Sequence, residues 1–246
     1  MDRSQPDLAA RELVVLTEKR DIEKAVESAV HQAAMDHLVG IEILERIGGY
    51  REAAAFIRNK VPTDRRVASG DLGEILASEY IDQCTDFKVP IKRLRWKDDR
   101  NTTMRGNDVL GICHSAKSCR LLKGESKSRA KLHAAVVAEA VLGLQKHSGR
   151  PNPSSLAFIS ARLRDSGDDE GADVFERIQS GKLKPDEVEH LVFTFSGNDP
   201  TEHLKMHVAD KKARKRHLVG CRVEKHQEFI RRTFESLNDP KRRPSR

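Results

Sequence analysis

Along the first sixty residues, apolar positions recur at helical spacing. Ile22, Val26, Ala29, Val30 and Ala33 share one helical face behind Asp21, a residue type that caps helix starts. A second helical pattern covers about 41–47 and stops at Gly48-Gly49, and a third takes in 50–57. The breaker run Lys60-Val61-Pro62-Thr63 marks a boundary. Beyond it the period changes. Asp71-Leu-Gly-Glu74 opens a helix over about 71–83, and strand-like runs follow at 88–96, 107–114 and 119–127. Residues 115–118 read as the turn joining the last two into a hairpin. A strong helix over 130–146 then presents Leu132, Val136, Val137, Ala140, Val141 and Leu144 on one broad face. Strands are predicted at 156–162, 191–196 and 218–223, and helices at 171–179 and 225–237. This order predicts an α/β fold, a central mixed sheet flanked by helices, behind an N-terminal helical region. The expected divisions are 1–60 for that helical region, 61–238 for the α/β domain and 239–246 for a flexible basic tail.

Composition narrows the class. No apolar run approaches the ~18 residues that span a bilayer. The first twenty residues carry acids and lack an apolar signal core, and the four cysteines show no CxxC spacing. A reduced cytoplasmic protein without membrane contact is expected. The net charge of +7 is unevenly spread: residues 88–131 hold thirteen Lys/Arg against four Asp/Glu, and 205–246 hold fourteen against five. Each stretch is thus +9 by itself, which leaves −11 for the rest. Clustered cations of this kind suit a polyanion such as DNA, because neutralising phosphates releases counterions; a merely solvated basic face is the plain alternative.

The chemistry concentrates in Arg105–Arg129, RGNDVLGICHSAKSCRLLKGESKSR. Side chains alternate between faces of a strand, so Glu125 and Lys127 project to the same side. Asp108 lies near the start of one hairpin arm and Glu125 near the end of the other, which makes them neighbours in an antiparallel pair. Two carboxylates so placed repel unless a cation sits between them. Mg²⁺ suits that position, with Mn²⁺ as a substitute, since it takes one or two carboxylates and keeps several waters. The backbone carbonyl of Ser126 offers a third ligand. Lys127 would then hydrogen-bond the attacking water and offset charge growing on phosphorus. Lys123, Arg105 and Arg129 flank the site as cations for backbone phosphates. Together these groups describe a metal-dependent phosphodiesterase. The pattern [DE]-x-K occurs four times in the chain, yet only the copy at Glu125 ends an apolar strand behind an acid-bearing hairpin partner. Asp71-x-x-Glu74 reads equally as a capping box and as a source of a further site acid.

These residues, in this order, resemble the PD-(D/E)xK nuclease superfamily: Glu74 on the opening helix, GND at 106–108, GESK at 124–127 and the helix that follows. More narrowly, GDLGEILASEYI, RWKDDRNTTMRGNDVLGI and LLKGESKSRAKL are similar to the nuclease subunit of Hachiman-type antiphage defence systems. The resemblance covers about 65–165. It implies a restriction-endonuclease-like core and a Mg²⁺-dependent DNA nuclease restrained by a helicase-like ATPase partner. It also implies Asp108 and Glu125 as metal ligands, Lys127 as the residue that orients the water and Glu74 as an accessory acid near the metal. Asn107 stands where the superfamily motif has proline.

Two other readings belong to the same residues. One is a catalytically silent DNA-binding or adaptor protein that keeps the fold; the other is a restriction-type or junction-resolving endonuclease. His203 and His207 at i, i+4, and Cys113 with His114 and Cys119, are weaker metal candidates. Aromatic residues make up only 4% of the chain, which argues against base-stacking platforms. No Gly-rich phosphate loop is present, so no nucleotide cofactor is expected and ATP-driven work would fall to a partner.

Overall fold

The computed structural model describes residues 2–4, 13–18, 23–40, 43, 50–115, 118–208 and 214–237. The expected helix over 41–47, the cap at Asp21 and the tail at 239–246 lie outside these residues. The strand β5 (Val188–Ser196) is buried at every position, because helices cover both its faces. It pairs in parallel with β4 (Cys119–Arg129) and β6 (Arg216–Arg222). Two strands that the sequence reading missed, β1 (Asp2–Ser4) and β2 (Leu13–Thr17), extend the sheet beyond β6; β3 (Val109–His114) closes the other edge. The order is β1-β2-β6-β5-β4-β3, with β1 and β3 antiparallel to their neighbours. This is the mixed α/β sheet that the alternation of elements predicts.

Strand alternation sorts the helices onto two faces. Val14, Val109, Leu122, Leu191, Phe193 and Val219 pack toward α1 (Glu23–Leu38), α3 (Arg65–Cys84) and α8 (His226–Leu237). Their neighbours Leu13, Leu110, Leu121, Val192 and Leu218 pack the other way. There they meet α4 (Ala134–Gln145), α5 (Pro153–Asp165), α6 (Asp169–Arg177) and the short α7 (Thr201–Lys205). Between α1 and α3 runs α2 (Tyr50–Lys60). Because β2 pairs with β6 and α1 packs against α8, the first sixty residues contribute both strand and helix to the same sheet and core.

Three expectations are corrected. Residues 156–162 lie within α5, since Leu156, Ile159, Ser160 and Leu163 are the buried positions, a helical period. Asn152 caps that helix by accepting the Ser154 amide, and Pro153 suits its first turn. Residues 88–96 are not a strand: one bridge joins Lys88 to Ile112, and Arg93–Trp96 form a 3₁₀ turn. The helix expected at 71–83 spans Arg65–Cys84, with Asp64 accepting the Arg66 and Val67 amides as its cap. Asp71 and Glu74 therefore sit inside a helix, and the capping-box reading falls.

Candidate active site

The β3–β4 hairpin is in the predicted register. Its turn closes through the Ser115 amide donating to the Ser118 carbonyl, and its last pair is Val109 with Gly124. Asp108 and Glu125 follow directly, opposite each other where the ladder ends. Among the described residues, β4 from Glu125 onward runs beside β5 alone, which leaves its other edge open. The Ser126 amide points to that edge and donates to Asp108 Oδ2 at 2.9 Å. A strand turns a residue's carbonyl to the same side as its N–H, so the Ser126 carbonyl faces this edge too.

Tight packing holds the platform still. A Cβ on Gly73 of α3 would lie 2.9 Å from Ser126 Oγ, and one on Gly143 of α4 would lie 3.0 Å from the Glu125 carboxyl carbon. Both helices approach β4 as closely as glycine allows. Just before Asp108, Gly106 has φ +107° and could carry no side chain, since Ser155 Oγ would stand 2.4 Å from its Cβ. Asn107 is buried and doubly tied: its amide donates to Ser155 Oγ, and its Oδ1 accepts the Asn152 amide. That anchorage aims the following acid and serves where the superfamily motif has proline.

Lys127 Nζ lies 3.4 Å from Glu125 Oε1 and 3.1 Å from Glu139 Oε1 on α4. Burial disfavours its charge, but the two carboxylates outweigh that and raise its affinity for the proton. Both contacts are those of an ammonium donating to carboxylate oxygens. Burial, with Asp108 next, pushes the Glu125 carboxyl up, while Lys127 and Lys123 pull it down. Glu74 approaches from α3 and meets Arg93, which donates to both its oxygens at 3.0 Å. Burial pushes the Glu74 carboxyl up to about 7 despite that guanidinium. Arg93 also lies 3.8 Å from Asp108 Oδ1 and donates to the Arg105 carbonyl at 3.3 Å. Beneath them a buried pair, Lys97 with Asp71, joins the 3₁₀ turn to α3.

The site thus brings together Asp108, Glu125, Ser126 and Lys127, and holds Glu74 beside them through Arg93. Arg105 and Arg129, just before and just after these residues in the chain, are exposed. Lys123 departs from its expected role. It is 1% exposed, and its ammonium donates to the Leu144 and Lys146 carbonyls at 2.9 Å, so it closes the end of α4 and cannot reach a phosphate. Arg93 and Glu139 were missed, because a cation in a charged run and an acid on a helix carry no pattern that separates them from surface residues.

Among the described residues no three His, Cys, Asp or Glu side chains gather as a metal cage. That also leaves His203 with His207, and Cys113 with His114 and Cys119, without a completed ligand set. Two carboxylates and one carbonyl, all hard oxygens, are a small set that fits Mg²⁺, an ion that keeps most of its waters. The HamA family model matches residues 17–237. The Hachiman protein HamA of Bacillus cereus is 33% identical over 118 residues, which are 48% of this chain and 41% of that protein. The match thus spans less than half of the relative's length. With the family pattern running through nearly all of its elements, the chain belongs to the HamA family.

Proposed function

We propose that the chain is a Mg²⁺-dependent DNA nuclease, the effector of an antiphage defence system, restrained by a helicase-like ATPase until DNA is sensed. The observation that carries this reading is the hairpin register: pairing of Val109 with Gly124 sets Asp108 against Glu125, with Lys127 on the same face. Asp108, Glu125 and the Ser126 carbonyl would hold Mg²⁺, which when bound polarises phosphoryl oxygens and eases deprotonation of water. The Ser126 amide keeps Asp108 turned to this edge. Lys127 orients an attacking water and places positive charge beside the phosphorus as negative charge grows there. Glu139 steadies the ammonium from the opposite side. Arg105 and Arg129 take flanking phosphates, contacts that position a duplex without reading its sequence.

Membership of the HamA family and similarity to a Hachiman protein support the defence role. A partner ATPase is part of the reading because the resemblance to Hachiman nuclease subunits implies one; the sequence has no phosphate loop of its own. The test is cleavage of random, palindromic and branched DNA by the chain assembled with its ATPase, with and without Mg²⁺. Glu125→Ala and Lys127→Ala should each lose at least a hundredfold in rate. Cutting that persists at the wild-type rate in either variant sinks the enzyme assignment and favours a silent DNA-binding protein. Discrete bands from palindromic or branched DNA alone would mark a site-specific or junction-resolving enzyme.

A further inference from the structure

Resting on the proposed metal site, we infer that Arg93 takes the place of a second metal ion, so that the chain binds one divalent ion and Glu74 is not among its ligands. The acids fall into two groups around two cation positions. Asp108 and Glu125 share the open edge of β4, while Glu74 and Asp108 share a guanidinium. Arg93 uses one side of its fork on Glu74, at 3.0 Å to each oxygen, and its Nη2 reaches to 3.8 Å from Asp108 Oδ1. A divalent ion between Glu74 and Asp108 would have to displace it.

Displacement is opposed by the way the arginine is held. Residues that follow it are pinned to two helices. Arg95 binds the Asp36 carbonyl and carboxylate on α1, and Lys97 binds both Asp71 oxygens on α3. Leu94, next to Arg93 in the turn, is 2% exposed. Arg93 itself ties down the Arg105 carbonyl. A planar guanidinium so fixed is a preorganised cation that needs no bulk metal and costs no reordering. Glu74 then acts as a positioning residue: it orients Arg93 and balances its charge. Arg93 supplies beside Asp108 the positive charge that a two-metal site takes from its second ion.

Counting bound Mn²⁺ by electron paramagnetic resonance in the DNA-free full chain tests this independently of turnover. Wild type should saturate at one ion per chain, and Glu74→Gln should keep that count. Arg93→Gln, which stays polar and loses the charge, frees Glu74 and Asp108 and should raise the count to two. Arg93→Gln with Glu74→Gln should return it to one. Thermal melting of each variant confirms folding, and Arg93→Lys, which retains a cation, should hold at one if the glutamine variant does not fold. Two ions in the wild type, loss of the ion in Glu74→Gln, or two in Arg93→Lys would each overturn the inference and leave the Asp108–Glu125 site standing. No Mn²⁺ bound by the wild type would instead remove the metal site and the inference with it.

Discussion

Lys123 and Lys127 stand four residues apart on one face of β4, and their surroundings give them opposite work. Lys127 meets two carboxylates at the open edge, with 15% of its side chain exposed. Lys123 is enclosed under α4, where burial depresses its proton affinity to about 8 and three backbone carbonyls surround its ammonium. Lys127→Met should abolish cleavage and leave the unfolding midpoint nearly unchanged. Lys123→Met should leave the helix-end carbonyls unsatisfied and cost about 1–3 kcal/mol in urea unfolding, with cleavage by the folded fraction retained. A Lys123→Met protein of native stability would contradict the buried role. At this scale the meeting of Asp108, Glu125 and Lys127 is legible in the sequence, because a strand repeats every two residues and a hairpin mirrors its arms. The fate of Lys123 is not, since the same period places it on the same face; only the cover of α4 separates the two lysines.

Elements explain what the residue pattern leaves out. Strand and helix compete for short apolar runs, and 156–162 went to helix because Asn152 and Pro153 start one and Leu163 extends its buried stripe. The run at 88–96 is extended over part of its length but spends its cations inward, on acids of α1 and α3, which no alternation reveals. Contact between elements also gives the site its precision. On α4, Gly143→Ala would put a methyl 3.0 Å from the Glu125 carboxyl carbon. Cleavage should fall at least tenfold through a shifted ligand, while the helix itself gains from losing a glycine; unchanged activity would mean that the Glu125 carboxylate has room to spare. A second inter-strand tie predicts acid lability. Glu189 on β5 accepts from Arg120 of β4 and His217 of β6, and Lys215 pairs with it. Burial opposes its charge, yet these partners together hold the carboxyl down to about 2. Its folded value lies below the unfolded one, so its stabilisation is complete above about pH 4.5 and fades as the pH falls toward 2. Urea midpoints measured across that window should drop for the wild type. Glu189→Gln, less stable at neutral pH by about 1–3 kcal/mol, should show a shallower drop.

For the whole molecule, the charge that pointed to a polyanion is redistributed by folding. Of the thirteen cations in 88–131, Lys92, Arg93, Arg95, Lys97, Arg120 and Lys127 pair with carboxylates, nearly all contributed by other segments. Lys123 is spent on carbonyls. Seven carboxylates of the acidic remainder, Asp36, Asp71, Glu74, Glu79, Asp86, Glu139 and Glu189, are thus internal counter-charge of this basic stretch, and a +9 count overstates the surface offered to DNA. This is why net charge alone could not divide a phosphate-binding face from a network of ion pairs. Arg105 and Arg129, which flank the site residues in the chain, remain exposed. DNA affinity should therefore fall with salt, since each phosphate contact releases close to one counterion. The slope should be that of the exposed cations only. Arg105→Ala and Arg129→Ala should each reduce the slope of log affinity against log salt by about 1, whereas Lys123→Met, once folded, should leave it unchanged. Binding measured by fluorescence anisotropy from about 50 to 200 mM salt resolves changes of that size. If the Lys123 variant lost slope and the two arginine variants did not, the duplex would be docking on some face other than the one that bears Asp108 and Glu125.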